Sequence, residues 1–408
     1  MPNSPPDSAW HAYLRWFLAT LVALVLLVGA FNILIDPQGV FGSPRFGGLN
    51  AIKPYLDHHR ELARWQAALR LCASAGIFGN SRAEIGLDPE NPLFAAAGLT
   101  AFNHAIPGSP GLTAYRQINW LRNAGCMPRT IVLGVEFFDF LGGSKPLPRS
   151  AFENPAPPRA DTAYLAETVF SIAGLRDSVG TIRLQRAKHP AMLTDRGFNP
   201  LYNYIEEVTE NGHYVLFRQR ANENARNWVR RAPRLRLEEG SISSDEQSLD
   251  AALAMASAAG STAYLVIYPY HAQIRLMIER LGLGEVFAEW KRSVVDLAVN
   301  HLGHGGHIEV WDFSGLGPET TEAIPPRGDR RTQLRYYWEA GHFKKELGNL
   351  IIGRLLGQSG EFGIRLDQHN IDRWLEEDRL SITNLLAEPS TLRNEVEDVL
   401  ASTRQNAR

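Results

Sequence analysis

The stretch AGIFGNSR at residues 75–82 decides how the rest of this chain is interpreted. An apolar run that stops at a glycine and polar residues is typical of a buried strand followed by a turn. In a doubly wound sheet, the carboxyl ends of the strands border the crevice that binds ligands. Ser81 is therefore a candidate functional residue whose turn offers N–H groups to an oxyanion, although many such Gly-x-Ser turns are structural.

Later apolar runs predict further strands of the same sheet. After a first strand at Ala75–Gly79, they lie at residues 101–106 (AFNHAI), 130–137 (TIVLGVEF), 262–268 (TAYLVIY) and 307–313 (HIEVWDF). Helical periodicity predicts helices at Gly111–Asn123, Asp245–Ala259, Ala272–Asn300 and Phe343–Leu356. Short apolar runs alternating with helical periods are typical of parallel strands joined by crossover helices. The sequence therefore predicts an α/β fold with one doubly wound, mainly parallel sheet of five strands.

A second decisive stretch, WFLATLVALVLLVGAFNILI, covers Trp16–Ile35 and contains no charged side chain. A helix of this length spans about 30 Å, the thickness of a bilayer core, so it predicts a transmembrane anchor. A cleaved signal peptide is the alternative, because Val28-Gly29-Ala30 resembles a cleavage site, but the apolar run continues past it. Arg15 is the only basic residue before the span. The positive-inside signal is therefore weak, and we expect the bulk of the chain outside the cytoplasm.

The remaining segments are placed relative to these stretches. We expect a tail (1–15), the anchor (16–35), a membrane-exit segment with a first helix (36–71), a sheet domain in two parts (72–140 and 245–357), an insertion (141–244) and a C-terminal extension (358–408). The insertion is too long for a compact loop, so we expect a cap or side lobe. Its later part is rich in arginine: Arg218, Arg220, Arg226, Arg230, Arg231, Arg234 and Arg236. This pattern indicates either a solvated helix face or a contact for anionic glycan or lipid head groups.

The composition argues against several classes of function. The formal net charge of -2 gives no overall attraction to nucleic acid, and the chain has no Gly-rich Walker loop. Its two cysteines are too few for a disulfide framework or a Cys-based zinc site. His301, His304 and His307 (HLGHGGH) suggest a metal site, but acidic or cysteine ligands are not patterned nearby. We expect neither a metal nor a cofactor.

The stretch YYWEAGHF at residues 336–343 supplies a candidate base for Ser81. It places Glu339 three residues before His342, ahead of the last predicted helix. A histidine that deprotonates a serine must be oriented, and its cation stabilised, which a carboxylate on its second nitrogen achieves. Glu-x-x-His alone is a common pattern. Because these residues follow the fifth strand and Ser81 follows the first, we expect them to meet at one edge of the sheet.

With these residues the sequence resembles the SGNH (GDSL-like) hydrolase superfamily. It resembles more closely the membrane-anchored bacterial branch of that superfamily, which is related to the proteins that acetylate alginate and other exported polysaccharides. The residues that carry the resemblance are GNSR at 79–82 (the nucleophile block), Gly108 of AIPGSPG (the second block) and EAGH at 339–342 (the final Asp-x-x-His block). It covers about residues 75–357, apart from the insertion.

The resemblance implies a flavodoxin-like strand order of 2-1-3-4-5 and a role for each matching residue. Ser81 would be the nucleophile, His342 the general base and Glu339 the orienting carboxylate. The N–H groups of Ser81 and Gly108 would form the oxyanion hole.

Two positions differ from the superfamily pattern. The third block usually supplies an asparagine to the oxyanion hole, whereas the equivalent strand end here reads GVEFFDF, with Glu136 and Asp139. A carboxylate there repels a developing oxyanion unless it is protonated or turned away. Glu339 also replaces the usual aspartate, which is a mild change. We expect Arg82 either to act as a cationic donor near the site or to pair with Glu136 or Asp139.

Other candidates lie next to predicted strands. His271 in IYPYHAQ follows the fourth strand and is expected either to contact substrate or to begin a helix. Asp312 and Ser314 in WDFSG end the fifth strand, where a network or capping role is expected. Cys72 and Cys126 each precede a strand, and those strands are neighbours in the order 2-1-3-4-5. An oxidising compartment would let them form a disulfide.

The leading hypothesis is a serine acyl-transfer enzyme, either an esterase or an O-acetyltransferase, acting on a cell-surface or exported polysaccharide. The protein would be a single-pass protein of the bacterial inner membrane with its main domain in the periplasm or another extracytoplasmic space. The expected partners are the membrane, a glycan or acylated substrate, and a membrane-bound acyltransferase or export component. The alternative is a catalytically silent SGNH-like subunit that binds glycan or scaffolds a polysaccharide export or modification complex.

Overall fold

A computed structural model of the chain describes residues 7–141, 147–153, 155–229, 235, 243–302 and 306–406. The chain divides into two compact units. Unit 1 comprises Met1–Arg70 and Pro158–Asp195, and unit 2 comprises Leu71–Pro157 and Arg196–Arg408. Residues 158–195 of the predicted insertion therefore cluster with the N-terminal part of the chain, and the rest of that insertion clusters with the sheet domain.

Helices of the described residues are numbered in chain order. They are α1 Asp7–Ile35, α2 Arg60–Leu71, α3 Ser81–Gly86, α4 Pro92–Ala96, α5 Gly111–Asn123, α6 Phe137–Phe140, α7 Thr162–Tyr164, α8 Ile172–Leu184, α9 Tyr202–Asn211, α10 His213–Trp228, α11 Ser244–Ala258, α12 Ala272–Arg280, α13 Gly284–Asn300, α14 Lys345–Leu355, α15 Ile371–Ala387 and α16 Thr391–Asn406. A 3-10 turn at Arg149–Phe152 and a π turn at Leu165–Val169 complete the helical segments.

Strands are numbered in the same way. They are β1 Ala75–Phe78, β2 Ala101–Asn103, β3 Thr130–Val135, β4 Thr262–Ile267, β5 His307–Asp312, β6 Tyr337–Glu339, β7 His342–Phe343 and β8 Ile364–Leu366.

In unit 1, α1 contains an apolar stretch, Ala9–Ile35, that is long and apolar enough to cross a membrane. Its side chains are exposed from Ala9 through Leu27, and packing against the rest of the unit begins at Val28. The helix ends at Ile35, as predicted, but begins at Asp7 rather than Trp16. Length and composition together make α1 a candidate membrane span.

The end of α1 is set by polar groups that follow it in the chain. Asp36 takes a left-handed backbone conformation with φ 49°, which stops the helix. Asn50 donates its side-chain amide to the carbonyl of Leu34 at 2.9 Å, and Lys53 donates to the carbonyl of Ile35 at 2.7 Å. These donors satisfy carbonyls that have no partner inside the helix.

Unit 2 is built around a six-stranded sheet in the order β2-β1-β3-β4-β5-β8. β1 to β5 pair in parallel, and β8 pairs antiparallel with β5. The registers Ala75 to Thr130, Thr130 to Thr262 and Thr262 to His307 align the starts of four strands, so the loops that follow them gather at one edge. The fold is thus α/β with a mainly parallel sheet.

Several predicted elements need correction. The sheet has six strands rather than five, because the three-residue β8 lies in the predicted C-terminal extension. The predicted helix Ala272–Asn300 is two helices, α12 and α13, since Gly282 interrupts it with φ 72°. The last predicted sheet-domain helix begins at Lys345, because Phe343 belongs to a small hairpin formed by β6 and β7.

The amino ends of β1 and β3 are joined covalently. Cys72 and Cys126 form a disulfide with their Cα atoms 5.1 Å apart. Each cysteine lies shortly before its strand, and the two strands are neighbours in the sheet. The bond lies at the end of these strands opposite to the loop that carries Ser81.

The C-terminal extension packs into unit 2 through buried charges. Asp378 of α15 pairs with Arg275 of α12 at 3.1 Å and with Lys291 of α13 at 2.9 Å. Lys291 also contacts Asp312 at the end of β5 at 2.8 Å. Because all four side chains are buried, each depends on its partners for charge compensation. The extension is therefore an integral part of this unit.

Candidate active site

Ser81 lies at the carboxyl end of β1, at the first position of α3. Asn80 caps this short helix by accepting a hydrogen bond from the backbone N–H of Arg82 at 3.1 Å. Gly79 has φ 144°, and a β-carbon built on it would lie 2.4 Å from the Tyr268 hydroxyl oxygen. Only glycine fits this turn, because a side chain would be strained and would collide with Tyr268. The turn fixes the position of the serine hydroxyl.

The β6–β7 hairpin brings His342 to this hydroxyl. The bulged hairpin pairs Glu339 with His342, and the ring Nε2 of His342 lies 2.9 Å from the Oγ of Ser81. The two residues are separated by 261 positions in the chain, so the sheet and the hairpin are both required for this contact. The separation is the one expected between a nucleophile and its general base.

Glu339 occupies the other side of the His342 ring. Its Oε1 contacts Nδ1 of His342, and its Oε2 accepts the backbone N–H of Gly341 at 2.6 Å. Burial favours a higher pKa for this carboxyl group. The His342 ring, Arg220 and the Gly341 N–H outweigh burial and hold the pKa of Glu339 at about 2. The carboxylate is therefore ionised and positioned to orient the ring.

Helix α10 contacts the hairpin through two of its side chains. Arg220 forms an ion pair with Glu339, with Nε 3.1 Å from Oε1. Seven residues earlier, the buried His213 ring contacts the Trp338 carbonyl through Nδ1 at 3.0 Å and the Leu334 N–H through Nε2 at 3.2 Å. Residues seven apart lie on one face of a helix. One face of α10 thus contacts the hairpin at two levels.

Arg82 forms a buried pair with Glu136. Its guanidinium forms an ion pair with Glu136, which also accepts the Tyr270 hydroxyl at 2.8 Å. The Tyr270 hydroxyl in turn accepts the backbone N–H of Phe137 at 3.1 Å. The guanidinium also lies 5.2 Å from the centre of the Tyr270 ring. The charge of Glu136 is compensated, and Arg82 is committed to this pair.

Gly108 lies in the loop between β2 and α5, close to the serine turn. Ile106 in this loop donates its N–H to the Gly79 carbonyl at 3.0 Å, which ties the loop to the turn. Gly108 has φ 67°, and a β-carbon built on it would meet nothing within 4 Å. Its conformation favours glycine, and its surroundings are open.

Of the two roles expected for His271, the structure supports the one at the start of a helix. Its Nδ1 accepts the N–H of Gln273 at 3.1 Å, and its Nε2 contacts the Glu322 carbonyl at 2.8 Å. The ring is buried, and burial lowers its pKa to about 4. Because both nitrogens have partners within the protein, His271 is a neutral helix cap, and its geometry gives no support to a substrate role.

The other sequence candidates among the described residues have local partners. Asp312 accepts the backbone N–H and the hydroxyl of Ser314 at 2.8 and 2.7 Å, which is the predicted network role. His301 pairs with Asp250, and His307 pairs with Glu309. Among the described residues no group of three or more His, Cys, Asp or Glu side chains could hold a metal ion. His304 lies outside the described residues.

The arginines of the arginine-rich stretch have different surroundings in the structure. Arg220 faces the hairpin, whereas Arg226 is exposed on the same helix. Arg230, Arg231, Arg234 and Arg236 lie outside the described residues. The sequence interpretation missed the roles of Arg220 and His213. The seven-residue spacing between them is the signal that indicates a shared helix face.

A groove of about 480 Å³ runs along the outer side of the hairpin. It is lined by Tyr202 and Phe198, by Trp338 and Lys344 of the hairpin region, and by Arg335. The Lys344 ammonium lies 4.4 Å from the centre of the Trp338 ring. Aromatic and cationic side chains, together with the acidic Glu346, therefore line a groove beside the hairpin, and Ser81, Glu339 and His342 are not among the residues that line it.

Comparison of the chain with family models, with curated proteins and with solved structures finds no match in any of the three. What this site can do is therefore argued from its own geometry.

Proposed function

We propose that this protein is a membrane-anchored, extracytoplasmic serine acyl-transfer enzyme, either an esterase or an O-acetyltransferase. The observation that carries the proposal is the 2.9 Å separation of Ser81 Oγ and His342 Nε2, with Glu339 on the other nitrogen of the ring. A hydroxyl, an imidazole and a buried carboxylate in this order form the arrangement that activates a serine. The resemblance to the SGNH superfamily supports the same assignment.

The reaction would proceed in two balanced halves. Ser81 Oγ attacks an acyl carbonyl while its proton passes to His342 Nε2, and the tetrahedral intermediate collapses as that proton goes to the leaving oxygen. The acyl-enzyme is then attacked by water or by a sugar hydroxyl, whose proton passes to His342. The second intermediate then expels Ser81 Oγ, which takes that proton from His342 and becomes the serine hydroxyl again. Glu339 stays ionised throughout and stabilises the imidazolium.

The developing oxyanion needs donors near Ser81. The N–H groups of Ser81 and Gly108 are the donors that the resemblance implies, and the hydrogen bond from Ile106 to Gly79 holds the Gly108 loop beside the serine turn. Arg82 is not part of this proposal, because it is committed to Glu136. Pairing with Arg82 also weakens the repulsion that the Glu136 carboxylate would exert on an oxyanion.

We propose a glycan as the acceptor or substrate, because of the groove beside the hairpin. Trp338 and Tyr202 bring aromatic rings to its lining, and Lys344 and Arg335 bring positive charge beside the acidic Glu346. Such a mixed lining suits a polar ligand that also has flat apolar faces, as sugar rings do. A cell-surface or exported polysaccharide, handled together with a membrane-bound acyltransferase or export partner, fits a tethered enzyme.

The placement at the bacterial inner membrane is also a proposal. α1 has the length and composition of a membrane span. Asn32 in its last turns donates to the Val169 carbonyl at 2.8 Å and accepts the Ser178 hydroxyl at 2.8 Å. These contacts support an uncleaved helix that remains part of unit 1. The disulfide Cys72–Cys126 supports an oxidising, extracytoplasmic location.

The experiment that tests the proposal is labelling of the full-length protein with a fluorophosphonate, together with hydrolysis of p-nitrophenyl acetate. We expect labelling and hydrolysis in the unaltered protein, and loss of both in Ser81→Ala. Ser381→Ala, an exposed serine on α15, is the matched control and should retain both. Equal labelling of Ser81→Ala and the unaltered protein would remove Ser81 as the nucleophile.

One observation favours a second candidate, a catalytically silent glycan-binding or scaffold subunit. Glu136 stands where the superfamily has the asparagine of the oxyanion hole, and its pairing with Arg82 supplies no substitute donor. A folded protein that binds glycan but does not react with a fluorophosphonate would favour this candidate over the enzyme.

A further inference from the structure

We propose that the turn at residues 169–172, which joins the end of the π turn to the start of α8, lies in the membrane interface beside α1. The protein would then contact the bilayer at a second place in addition to its spanning helix. This inference rests on α1 crossing the membrane, which is part of the proposed function, and is independent of the acyl-transfer chemistry.

The turn is held against α1 before that helix ends. A β-carbon built on Gly29 would lie 2.4 Å from the Phe170 ring, so the ring packs directly on the glycine. Asn32 donates to the Val169 carbonyl at 2.8 Å. Gly29 lies six residues before Ile35, which places the contact roughly 9 Å before the helix end. The turn therefore lies beside the last turns of the apolar stretch Ala9–Ile35, at the level where α1 begins to pack against the rest of unit 1.

The side chains of this turn are apolar and exposed. Phe170 is 46% exposed and Ile172 is 86% exposed. On α1, exposed side chains run without interruption up to Leu27, two residues before Gly29, and Ile33 and Leu34 beyond it are exposed as well. The turn thus extends an apolar surface that begins on the spanning helix, and lipid that covers α1 is in a position to cover these side chains as well.

Helix α8 runs from the turn towards the segment that follows α1, so its direction relative to α1 is defined. Its Ser178 contacts Asn32, near the end of α1. Gln185, just after α8, exchanges hydrogen bonds with Ile52 at 2.9 Å in both directions, and Ile52 follows α1 in the chain. The first residue of α8, Ile172, is therefore at the membrane end, and the last turn is at the far end.

The face of α8 that carries Ile172 also carries a cation. Arg176 is exposed and follows Ile172 by four residues, which places both on one face of α8. An arginine one turn above an apolar side chain can reach a phosphate group while the apolar side chain enters the acyl region. This chemistry, together with the continuity with α1, points to lipid rather than a protein partner as the occupant.

The test uses full-length protein in vesicles of phosphatidylethanolamine and phosphatidylglycerol, with a nitroxide spin label on Ile172→Cys. Collisions with oxygen, which concentrates among acyl chains, are compared with collisions with a water-soluble nickel chelate. The label at position 172 should collide mainly with oxygen, as a label on Leu27→Cys in α1 should. Arg183→Cys, exposed in the last turn of α8, is the matched control and should collide mainly with nickel.

Three results would overturn the inference. A label at 172 that behaves like the one at 183 would place the turn in water. A label at 172 that is shielded from both agents would indicate that a second copy of the protein covers it. A label at 27 that collides mainly with nickel would remove the membrane anchor and this inference together. None of these results bears on whether Ser81 is a nucleophile.

Discussion

Arg220 of α10 and Glu339 of β6 meet as an ion pair, with Nε 3.1 Å from Oε1, the same oxygen that contacts Nδ1 of His342. The arginine is also bound to Glu223 on its own helix, at 2.9 Å, which restrains its guanidinium. A helix from the segment predicted to be an insertion therefore contacts the carboxylate that orients the proposed general base. In this account α10 belongs to the active site.

Replacement of Arg220 should impair activity without removing the triad. In Arg220→Gln the Glu339 carboxylate loses a positive neighbour, so its pKa rises and its hold on the His342 ring loosens. A charge-assisted contact is worth roughly 1.5–3 kcal/mol, so we expect kcat/KM for p-nitrophenyl acetate to fall about tenfold to a hundredfold. The acid limb of the pH profile should move to higher pH.

Arg226→Gln is the control, because Arg226 is exposed on the same helix. It should leave both kcat/KM and the pH profile unchanged, and Arg220→Lys should recover part of the lost activity by restoring the charge. If Arg220→Gln lowered activity only in proportion to lost folded protein, with an unmoved pH profile, Arg220 would have only a structural role.

The disulfide should contribute measurably to the stability of unit 2. It closes a loop across 54 positions, and the loss of loop entropy from the unfolded chain corresponds to about 4 kcal/mol as an upper value. We expect the unfolding midpoint in guanidinium to fall when the protein is reduced. The double variant Cys72→Ser, Cys126→Ser should match the reduced protein and should no longer respond to reductant. An identical midpoint with and without reductant would contradict this.

His271 should make stability depend on pH in a defined direction. Its pKa is about 4 in the folded protein and 6.5 in an unfolded chain. Both states are neutral above pH 6.5, so the contribution to stability is fully present there. As the pH falls from 6.5 towards 4, only the unfolded state takes up the proton, and stability decreases by up to about 3 kcal/mol.

His271→Asn keeps a side-chain cap for α12 but removes the titrating group. Thermal unfolding of both proteins at pH 7 and pH 5 should show a smaller loss of stability for the variant than for the unaltered protein. Parallel losses in the two proteins would mean that other groups cause the acid sensitivity.

The buried pair Arg82–Glu136 should be more sensitive than a surface pair. Glu136→Gln leaves the Arg82 charge without its compensating carboxylate in a buried place, which typically costs roughly 3–5 kcal/mol. Glu376→Gln, in an exposed pair with Arg379, should have a much smaller effect, because solvent screens that pair. Chemical denaturation of both variants measures the difference, and equal effects would show that Arg82 finds another partner or solvent.

Local sequence patterns predict those parts of the site that depend on residues close together in the chain. AGIF followed by Gly79 and Asn80 signals a strand and a turn, and this alone places Ser81 at a strand end. The spacing of Glu339 and His342 indicates a carboxylate that can reach an imidazole. Their meeting with Ser81 follows from the rule that parallel strands end at one edge. The structure places these three residues together.

Other features depend on contacts between distant segments and leave little local pattern. The strands β6, β7 and β8 are two or three residues long, too short to show an alternating pattern. Arg220 is one of several arginines in its stretch. Its seven-residue spacing from His213 indicates a shared helix face, but no local pattern shows that this face meets Glu339. The membership of residues 158–195 in unit 1 depends on pairs such as Asn32 and Val169, which are 137 positions apart. His271 looks like a site residue from its position after a strand, but its ring is used within the protein.

The most direct test that Ser81 acts as the nucleophile is to find the acyl group on the enzyme. The full-length protein is mixed with p-nitrophenyl acetate, quenched in acid within the first turnover and digested for mass spectrometry. We expect an acetyl group on Ser81 that is absent in Ser81→Ala and much reduced in His342→Ala, because His342 takes the proton of the attacking hydroxyl. Acetylation at a different residue, or hydrolysis at an unchanged rate by Ser81→Ala, would contradict it.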